Sequence, residues 1–165
     1  EEGKLDAAVN ICYKTTNIEG FKSLHVATQK LYAVLPATHP YAQLSVLSRY
    51  DLRNENFLLT KFYDNPRAKK YDYIIPQQFA EAGFVPKIVG KSSDIETLML
   101  LVAAGIGITI APESAIKYVR QSSDLVFIPL VGEYEHVDIM VICREDDQNP
   151  ALPVFIDEYN LKILL

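Results

Sequence analysis

Cysteine and positive charge are both scarce in this sequence. Only two cysteines occur, Cys12 and Cys143, each in a short apolar stretch, which favours reduced buried thiols over a disulfide. Lysine and arginine number 16 against 21 acidic residues, so the formal net charge is −5. Because proteins bind nucleic-acid phosphates mainly through Lys and Arg, this acidic chain is not expected to bind DNA by itself.

Long apolar runs are missing as well, and the first residues do not predict a leader segment. The longest apolar stretch, around residues 98–104, is far shorter than the ~20 residues that a membrane helix needs. The chain begins EEGKLDAAV, without the basic and apolar regions of a signal peptide. A composition with 49% hydrophobic and 22% charged residues is that of a globular domain. These features predict a cytoplasmic protein without a membrane partner.

Common catalytic and metal-binding patterns do not occur. The stretch GIGITIA at 105–111 lacks the Lys-Ser/Thr pair of a P-loop and the third glycine of a dinucleotide site. No G-x-S-x-G motif is found. His25, His39 and His136 stand in separate segments without a second ligand at metal-binding spacing, so each is expected to be a surface or loop residue. The sequence thus predicts no enzymatic activity, no metal and no cofactor.

Short apolar runs alternate with segments of helical periodicity. Strands are predicted at 5–12, 30–36, 56–60, 86–91, 106–112, 125–130 and 136–145, and helices at 65–83, 94–104, 113–120 and from Asn149-Pro150 onward. Pro76 predicts either a kink in the first helix or a new helix start. The polar segment 48–56 is predicted to be a loop and a boundary between lobes. Such alternation indicates an α/β fold with a mainly parallel sheet.

The stretch KSSDIETLMLLVAAGIGITIAP, residues 91–112, carries the most local information. Ser93-Asp94-Ile95-Glu96 fits the S-x-x-E capping box, which predicts Ser93 as the N-cap of a helix. Apolar residues then recur at helical spacing, and Gly105 is expected to end the helix in a left-handed conformation. A purely structural role for this stretch and a role in ligand binding are both compatible with the pattern.

Small polar residues fall near the ends of three predicted strands. Ser92 and Ser93 follow one strand, Thr60 ends a second, and Asn10 lies near the end of the first. In open α/β sheets, ligands bind at the carboxyl ends of the strands. A helix start also offers free N–H groups to an anion. We therefore expect a site for a small polar ligand, with an amino acid, an aromatic acid and an inorganic oxyanion all possible.

The order of these segments resembles the effector-binding (substrate-binding) domain of LysR-type transcriptional regulators. The resemblance rests on GKLDAAV, KLYAVLPATHPYA, AGFVPKIV, LVAAGIGITIAP and FIDEYN, and it extends from Gly3 to about Tyr159. It implies a two-lobed fold of the type II periplasmic-binding-protein kind. Residues 1–45 and 127–165 would form part of lobe one, whose first strand-helix-strand unit is missing, and residues 46–126 would form lobe two.

The resemblance also implies a function and partners. A small polar or anionic effector would bind between the lobes and change the affinity of the intact regulator for DNA. The implied effector-binding residues are Asn10, Ile11, Thr60, Lys61, Phe62, Ser92 and Ser93. The intact protein would be a homodimer or tetramer, and it would contact DNA only through an N-terminal helix-turn-helix that this chain does not contain. A free-standing solute-binding protein of the same fold is the alternative, and a small α/β enzyme is a third class.

Overall fold

A computed structural model of the chain describes residues 5–12, 20–61, 74–117, 123–133 and 135–163. The strands in these ranges are β1 (Ala7–Cys12), β2 (Phe21–Pro36), β3 (Asn56–Thr60), β4 (Lys87–Ser92), β5 (Thr109–Pro112), β6 (Leu125–Pro129) and β7 (His136–Arg144). The helices are α1 (Ile74–Glu81), α2 (Ile95–Ala103), α3 (Glu113–Lys117) and α4 (Ala151–Ile163), with a 3-10 helix at Arg49–Leu52. Each strand lies where an apolar run predicts it, although β2 begins nine residues before the predicted 30–36.

The chain divides into two compact units, of which the first comprises Glu1–Gln29 and His136–Leu165. In this unit β1 pairs antiparallel with β7, which lies between β1 and β2 in the strand order. Val137 and Val141 of β7 are fully buried, as expected for β-branched residues in a strand that is paired on both sides. Helix α4 begins after Asn149, whose side-chain oxygen accepts the Ala151 N–H at 2.9 Å. The predicted helix start at Asn149-Pro150 is thereby confirmed.

The second unit is Lys30–Glu135 and contains the remaining elements. The later part of β2 pairs antiparallel with both β5 and β6. β3 and β4 pair in parallel, and Phe57 forms a parallel bridge to Ile108 just before β5. Helix α2 connects β4 to β5 and packs on β3, β4 and β6. Because β3 and β4 are parallel, their carboxyl ends lie at the same edge of the sheet.

The predicted α/β class is confirmed, but the expectation of mainly parallel sheets needs correction. It holds for β3 with β4, whereas the described pairings of β1 with β7 and of β2 with β5 and β6 are antiparallel. The apolar runs predicted where the strands lie. They did not predict whether a strand runs parallel or antiparallel to its neighbour, because the apolar pattern is the same in both cases. Strand direction depends on which distant segment pairs with it, and this is a tertiary property.

The core of the second unit is formed by α2 and the strands beneath it. Its cluster of buried side chains comprises Val34, Leu58, Leu98, Met99, Val102, Ala111 and Leu125. The apolar stripe that the sequence predicts on α2 supplies three of these residues, and Ile95 packs beside them half-buried. Burial of each valine, leucine or methionine side chain in this cluster contributes about 1.5–3 kcal/mol. A second cluster stacks Phe57 edge-on against Phe79, with ring centres 4.7 Å apart.

The segment 48–56, which the sequence predicts to be a loop, contains a short helix in the structure. Residues Arg49–Leu52 form a 3-10 helix, and Ser48 caps it in a reciprocal capping box with Asp51. Arg49 and Leu52 are buried, so this segment belongs to the interior of the second unit. The two compact units divide at Gln29/Lys30 and Glu135/His136. The lobe assignment given by the family resemblance, with boundaries near 45 and 127, stays a prediction.

Both cysteines are free thiols, as the sequence predicts. Cys143 is buried and Cys12 is half-buried, and their partners in the β1–β7 ladder are Ala7 and Asp138 respectively. Burial raises the pKa of the Cys12 thiol, and the Asp138 carboxylate opposite raises the pKa further. Cys12 is therefore protonated at neutral pH, which makes it a poor nucleophile.

Candidate functional site

Four of the residues predicted to bind an effector lie together in the second unit. Thr60 and Ser92 are the last residues of β3 and β4 and are direct neighbours in the parallel register. The Lys61 N–H donates to the Ser92 carbonyl at 2.8 Å, which extends the pairing one residue beyond the strand end. Ser93 follows and is exposed. The structure thus collects Thr60, Lys61, Ser92 and Ser93 at the carboxyl edge of β3 and β4, before the start of α2.

The residue that caps α2 is Asp94, and the prediction of Ser93 as the cap is wrong. Asp94 has extended backbone angles, and its carboxylate accepts the Thr97 N–H at 2.7 Å and the Thr97 hydroxyl at 2.5 Å. Helix α2 consequently begins one residue later than the S-x-x-E pattern indicates. A carboxylate is favoured here because it adds charge to the hydrogen bond at the positive end of the helix dipole.

The electrostatics of this edge follow from that cap. The hydrogen bond from the Thr97 hydroxyl, followed by those from backbone N–H groups of Thr97 and Glu96, lowers the pKa of Asp94. Asp94 is therefore ionised at neutral pH, and its negative charge faces the N–H groups of the first turn. An anion from solution would meet N–H groups that already have a partner, so hydroxyl groups are the more accessible donors at this edge.

The two serines have different roles in the structure. The Ser92 hydroxyl is half-buried and accepts the Asp94 N–H at 3.1 Å, which fixes the turn between β4 and α2. Ser93 is exposed and is not the helix cap. Its hydroxyl is consequently available to a ligand without loss of the cap, which makes Ser93 the better position for mutation.

The remaining predicted site residues belong to the first unit or fall outside the described residues. Asn10 and Ile11 belong to β1 of the first unit, where both are exposed, Ile11 at 43%. Because consecutive residues of a strand point to opposite faces, their side chains project to opposite sides of β1. The strand continues to Cys12, so Asn10 lies within the strand and not at its end. Phe62 falls outside the described residues.

A second cluster of functional interest was not predicted from the sequence. Arg49 is 4% exposed and makes a bidentate ion pair with Glu135, with Nε–Oε1 and Nη2–Oε2 distances of 2.9 and 2.6 Å. The Gln78 side chain is also buried and contacts the same guanidinium. The Ser48-x-x-Asp51 spacing could have indicated the local helix. Nothing in the local sequence pairs Arg49 with a residue 86 positions away.

The histidines are placed in different surroundings. His25 is exposed and contacts Thr28 and Asp138, and His136 is exposed at the start of β7. His39 lies in a turn, where its Nδ1 accepts the Tyr41 N–H and its Nε2 lies 3.4 Å from Glu55. Over the described part of the chain, His, Cys, Asp and Glu side chains form no group of three suited to a metal ion. No helix in that part is long and apolar enough to cross a bilayer.

Comparison with known proteins gives one family. The family model described as "LysR substrate binding domain" matches residues 1–160. A curated relative is the transcriptional dual regulator GltC of Bacillus subtilis, which is 31% identical over 99 residues, covering 60% of this chain and 31% of GltC. The chain spans less than half the length of the curated relatives that it matches first.

Solved structures with the same fold include two complexes with small molecules. The effector-binding domain of BenM with benzoate superposes with a TM-score of 0.80 at 20% identity, covering 99% of this chain and 71% of that domain. The effector-binding domain of QuiR with shikimate gives 0.73 at 22% identity, covering 96% and 71%. At such identities the likeness concerns the fold, and it confirms the type II periplasmic-binding-protein class.

Proposed function

Because this chain belongs to the LysR substrate-binding domain family, we propose that it is the effector-sensing part of a bacterial transcription regulator. The observation that carries this proposal is the family match over residues 1–160, joined to the polar edge at Thr60, Lys61, Ser92 and Ser93. The curated relative GltC is a transcriptional regulator, which favours this role over a free-standing solute-binding protein or an enzyme. A cytoplasmic location follows from such a role.

In this proposal a small polar or anionic metabolite binds at the carboxyl edge of β3 and β4. The Thr60 and Ser93 hydroxyls donate to its oxygen atoms, since Asp94 already occupies the N–H groups of the first turn. Benzoate and shikimate, which are bound to BenM and QuiR, are small ring compounds with a carboxylate and are suitable first probes. Asn10, Ile11 and Phe62 stay predictions from the family resemblance.

The effector would act by changing a conformational equilibrium. A ligand shifts such an equilibrium only by the difference between its affinities for the two states. In the intact regulator, a homodimer or tetramer, the shift would alter DNA binding through an N-terminal helix-turn-helix that lies outside this chain. The chain's own acidity, −5 formal charge, agrees with a sensing role that does not include contact with DNA.

A thermal-shift screen tests this proposal. The purified chain is mixed with benzoate, shikimate, amino acids and inorganic oxyanions, and a ligand at 100 times its Kd should add about 2.7 kcal/mol of stability. Thr60→Val and Ser93→Ala should each weaken binding of the hit by about 2- to 10-fold, because each removes one hydrogen bond. Neither change touches the Asp94 cap, so the Tm of the free protein should change little.

The matched control is Ser123→Ala. It removes the hydroxyl of an exposed serine that does not belong to the edge of β3 and β4. It should leave the affinity unchanged. If Thr60→Val and Ser93→Ala also leave it unchanged, these residues are not in the effector site. If none of these compounds raises the Tm, this chain by itself does not bind benzoate, shikimate, the amino acids or the oxyanions tested.

A further inference from the structure

The turn between β2 and the 3-10 helix contains a histidine that the proposed function does not use. His39 lies in this turn, residues 37–43, and only 11% of its side chain is exposed. The His39 N–H donates to the Pro36 carbonyl and the Ala42 N–H donates to the His39 carbonyl, both at 2.9 Å. These two hydrogen bonds fix the backbone on both sides of His39, and with it the point from which the imidazole ring projects.

The two ring nitrogens of His39 have different partners. Nδ1 accepts the Tyr41 N–H at 3.1 Å, and Nε2 lies 3.4 Å from Oε2 of Glu55. A backbone N–H can only donate, so Nδ1 carries no hydrogen and the neutral ring has its hydrogen on Nε2. Turning the ring over would place a C–H group opposite the Tyr41 N–H and lose this hydrogen bond. The contact therefore selects one tautomer and one ring orientation.

Protonation of His39 changes the contact with Tyr41. The imidazolium carries a hydrogen on both nitrogens, so Nδ1 becomes a donor that faces a second donor. The hydrogen bond that closes the turn across the side chain is then lost. Because an N–H group without an acceptor is unfavourable in a half-buried position, the Tyr41 amide has to turn toward water.

Glu55 favours the protonated ring. This residue directly precedes β3, and 28% of its side chain is exposed. Its carboxylate attracts a positive charge on the ring at the observed distance of 3.4 Å. The neutral ring gains the hydrogen bond from Tyr41, whereas the charged ring gains the ion pair with Glu55. The two protonation states thus favour two different sets of contacts.

Two further titratable residues border this turn. The Tyr41 ring packs on the imidazole of His39 with ring centres 5.1 Å apart. Asp124 contacts the turn through its backbone carbonyl, which accepts the Ala37 N–H at 2.8 Å, and its carboxylate lies 3.5 Å from the Ser123 hydroxyl. Neither contact exchanges a donor for an acceptor when His39 takes up a proton. The response to protonation is therefore assigned to the Tyr41 amide and to Glu55.

We propose that His39 is a proton-sensitive switch for the turn of residues 37–43. With a neutral ring, the hydrogen bond from the Tyr41 amide closes the turn. With a protonated ring, this bond is lost, the ring pairs with Glu55 and the turn opens. Histidine side chains change charge between about pH 5 and 8, which is the range in which the switch operates. Glu55 lies at the amino end of β3 and the proposed effector edge at its carboxyl end, so the switch does not depend on the proposed function.

Solution NMR of the ¹⁵N-labelled chain between about pH 8 and 5 tests the proposal. At the upper end, the ring nitrogen shifts of His39 should identify the Nε2–H tautomer, and the Tyr41 amide should be protected from hydrogen exchange. As His39 takes up its proton, the Tyr41 amide signal should shift with the same midpoint, and its protection factor should fall about 10-fold or more. The Leu58 amide, which donates to the Ile108 carbonyl, should stay protected and so separates local opening from unfolding.

Two variants separate the hydrogen bond from the ion pair. His39→Asn places an amide oxygen near the position of Nδ1, and this oxygen can accept the Tyr41 N–H but does not titrate in this range. The Tyr41 amide should then stay protected at every pH tested. Glu55→Gln removes the charge opposite Nε2, so the midpoint of the Tyr41 change should move to lower pH by about 0.5–1 pH unit.

The other two histidines provide matched controls. His25→Asn and His136→Asn change exposed residues and should leave the pH profile of the Tyr41 amide as it is in the wild type. The proposal is overturned if the Tyr41 amide keeps its protection while His39 titrates, or if His39→Asn loses protection with the wild-type midpoint. Should His39→Asn fail to fold, Glu55→Gln decides, since an unchanged midpoint would show that the ion pair does not take part.

Discussion

Asp94 shows how one side chain can set the start of a helix and the charge of a neighbouring edge. Its carboxylate receives hydrogen bonds from the first turn of α2, which lower its pKa. The group is ionised in the folded chain down to a lower pH than in the unfolded chain. It therefore contributes stability above its usual pKa near 4, and this contribution is lost as the pH falls through the folded value.

The first prediction concerns this cap. Asp94→Ala should lower the Tm at pH 7 by about 2–4 °C, since the Thr97 N–H loses its partner. Asp94→Asn keeps an oxygen acceptor and should retain most of the Tm. The difference in Tm between wild type and Asp94→Asn should shrink as the pH falls below about 4, because the wild-type carboxyl becomes protonated. Thermal melts by circular dichroism at several pH values measure this, and a difference that grows toward low pH contradicts it.

Among the secondary-structure elements, the approach of β5 to β3 depends on one glycine. Gly107 precedes Ile108, whose N–H donates to the Asn56 carbonyl at 2.8 Å and whose carbonyl accepts the Leu58 N–H at the same distance. A Cβ atom at Gly107 would lie 2.7 Å from the Asn56 carbonyl oxygen. Backbone atoms cannot move aside as a flexible side chain can, so this contact requires glycine.

The second prediction concerns that contact. Gly107→Ala should reduce the free energy of unfolding by about 1–3 kcal/mol and should open the hydrogen bonds between β3 and Ile108. Amide hydrogen exchange at Leu58 and Ile108 measures the opening. The control is Gly105→Ala, where φ is +74° but no atom lies within 4 Å of the added Cβ.

In the control, the left-handed conformation should reduce stability by about 1–2 kcal/mol. The Leu58 and Ile108 amides should nevertheless stay protected there. Equal exchange at these two amides in Gly107→Ala and Gly105→Ala would contradict a specific steric contact at Gly107.

At the scale of the molecule, a buried ion pair joins segments that are far apart in the chain. Arg49 belongs to the 3-10 helix and Glu135 is the last residue of the second unit. The backbone carbonyl of Glu135 also accepts the Leu31 N–H at 3.0 Å, near the other boundary of the unit. Two charges with 4% and 9% exposure are stable only while both are present, because the loss of one leaves the other buried without a partner.

The third prediction concerns this pair. Glu135→Ala should destabilise the protein by about 3–5 kcal/mol, whereas the double variant Arg49→Met with Glu135→Leu should be considerably less destabilised. Urea denaturation at pH 7 measures both. The control is Glu133→Ala, an exposed neighbour that should change stability by no more than about 0.5 kcal/mol. A double variant as unstable as Glu135→Ala would show that the penalty does not arise from an uncompensated charge.

The local sequence determined much of this protein. Apolar runs located each strand, including β3 at Asn56–Thr60, and the stripe on α2 identified its buried face. The edge formed by Thr60 and Ser92 also followed, because a β-α-β sequence implies parallel strands that end together. These features depend on side-chain periodicity and on short connections, and both can be read within a window of about ten to thirty residues.

Tertiary structure decided the rest. The choice of Asp94 over Ser93 as the cap depended on backbone angles where β4 meets α2, since both residues are good caps in isolation. The antiparallel pairings of β2 and the burial of Arg49 against Glu135 depended on contacts between segments distant in sequence. An arginine in a polar segment has the same local pattern whether it faces water or a buried carboxylate. Only the folded chain supplies the partner and the low exposure that make this arginine part of the interior.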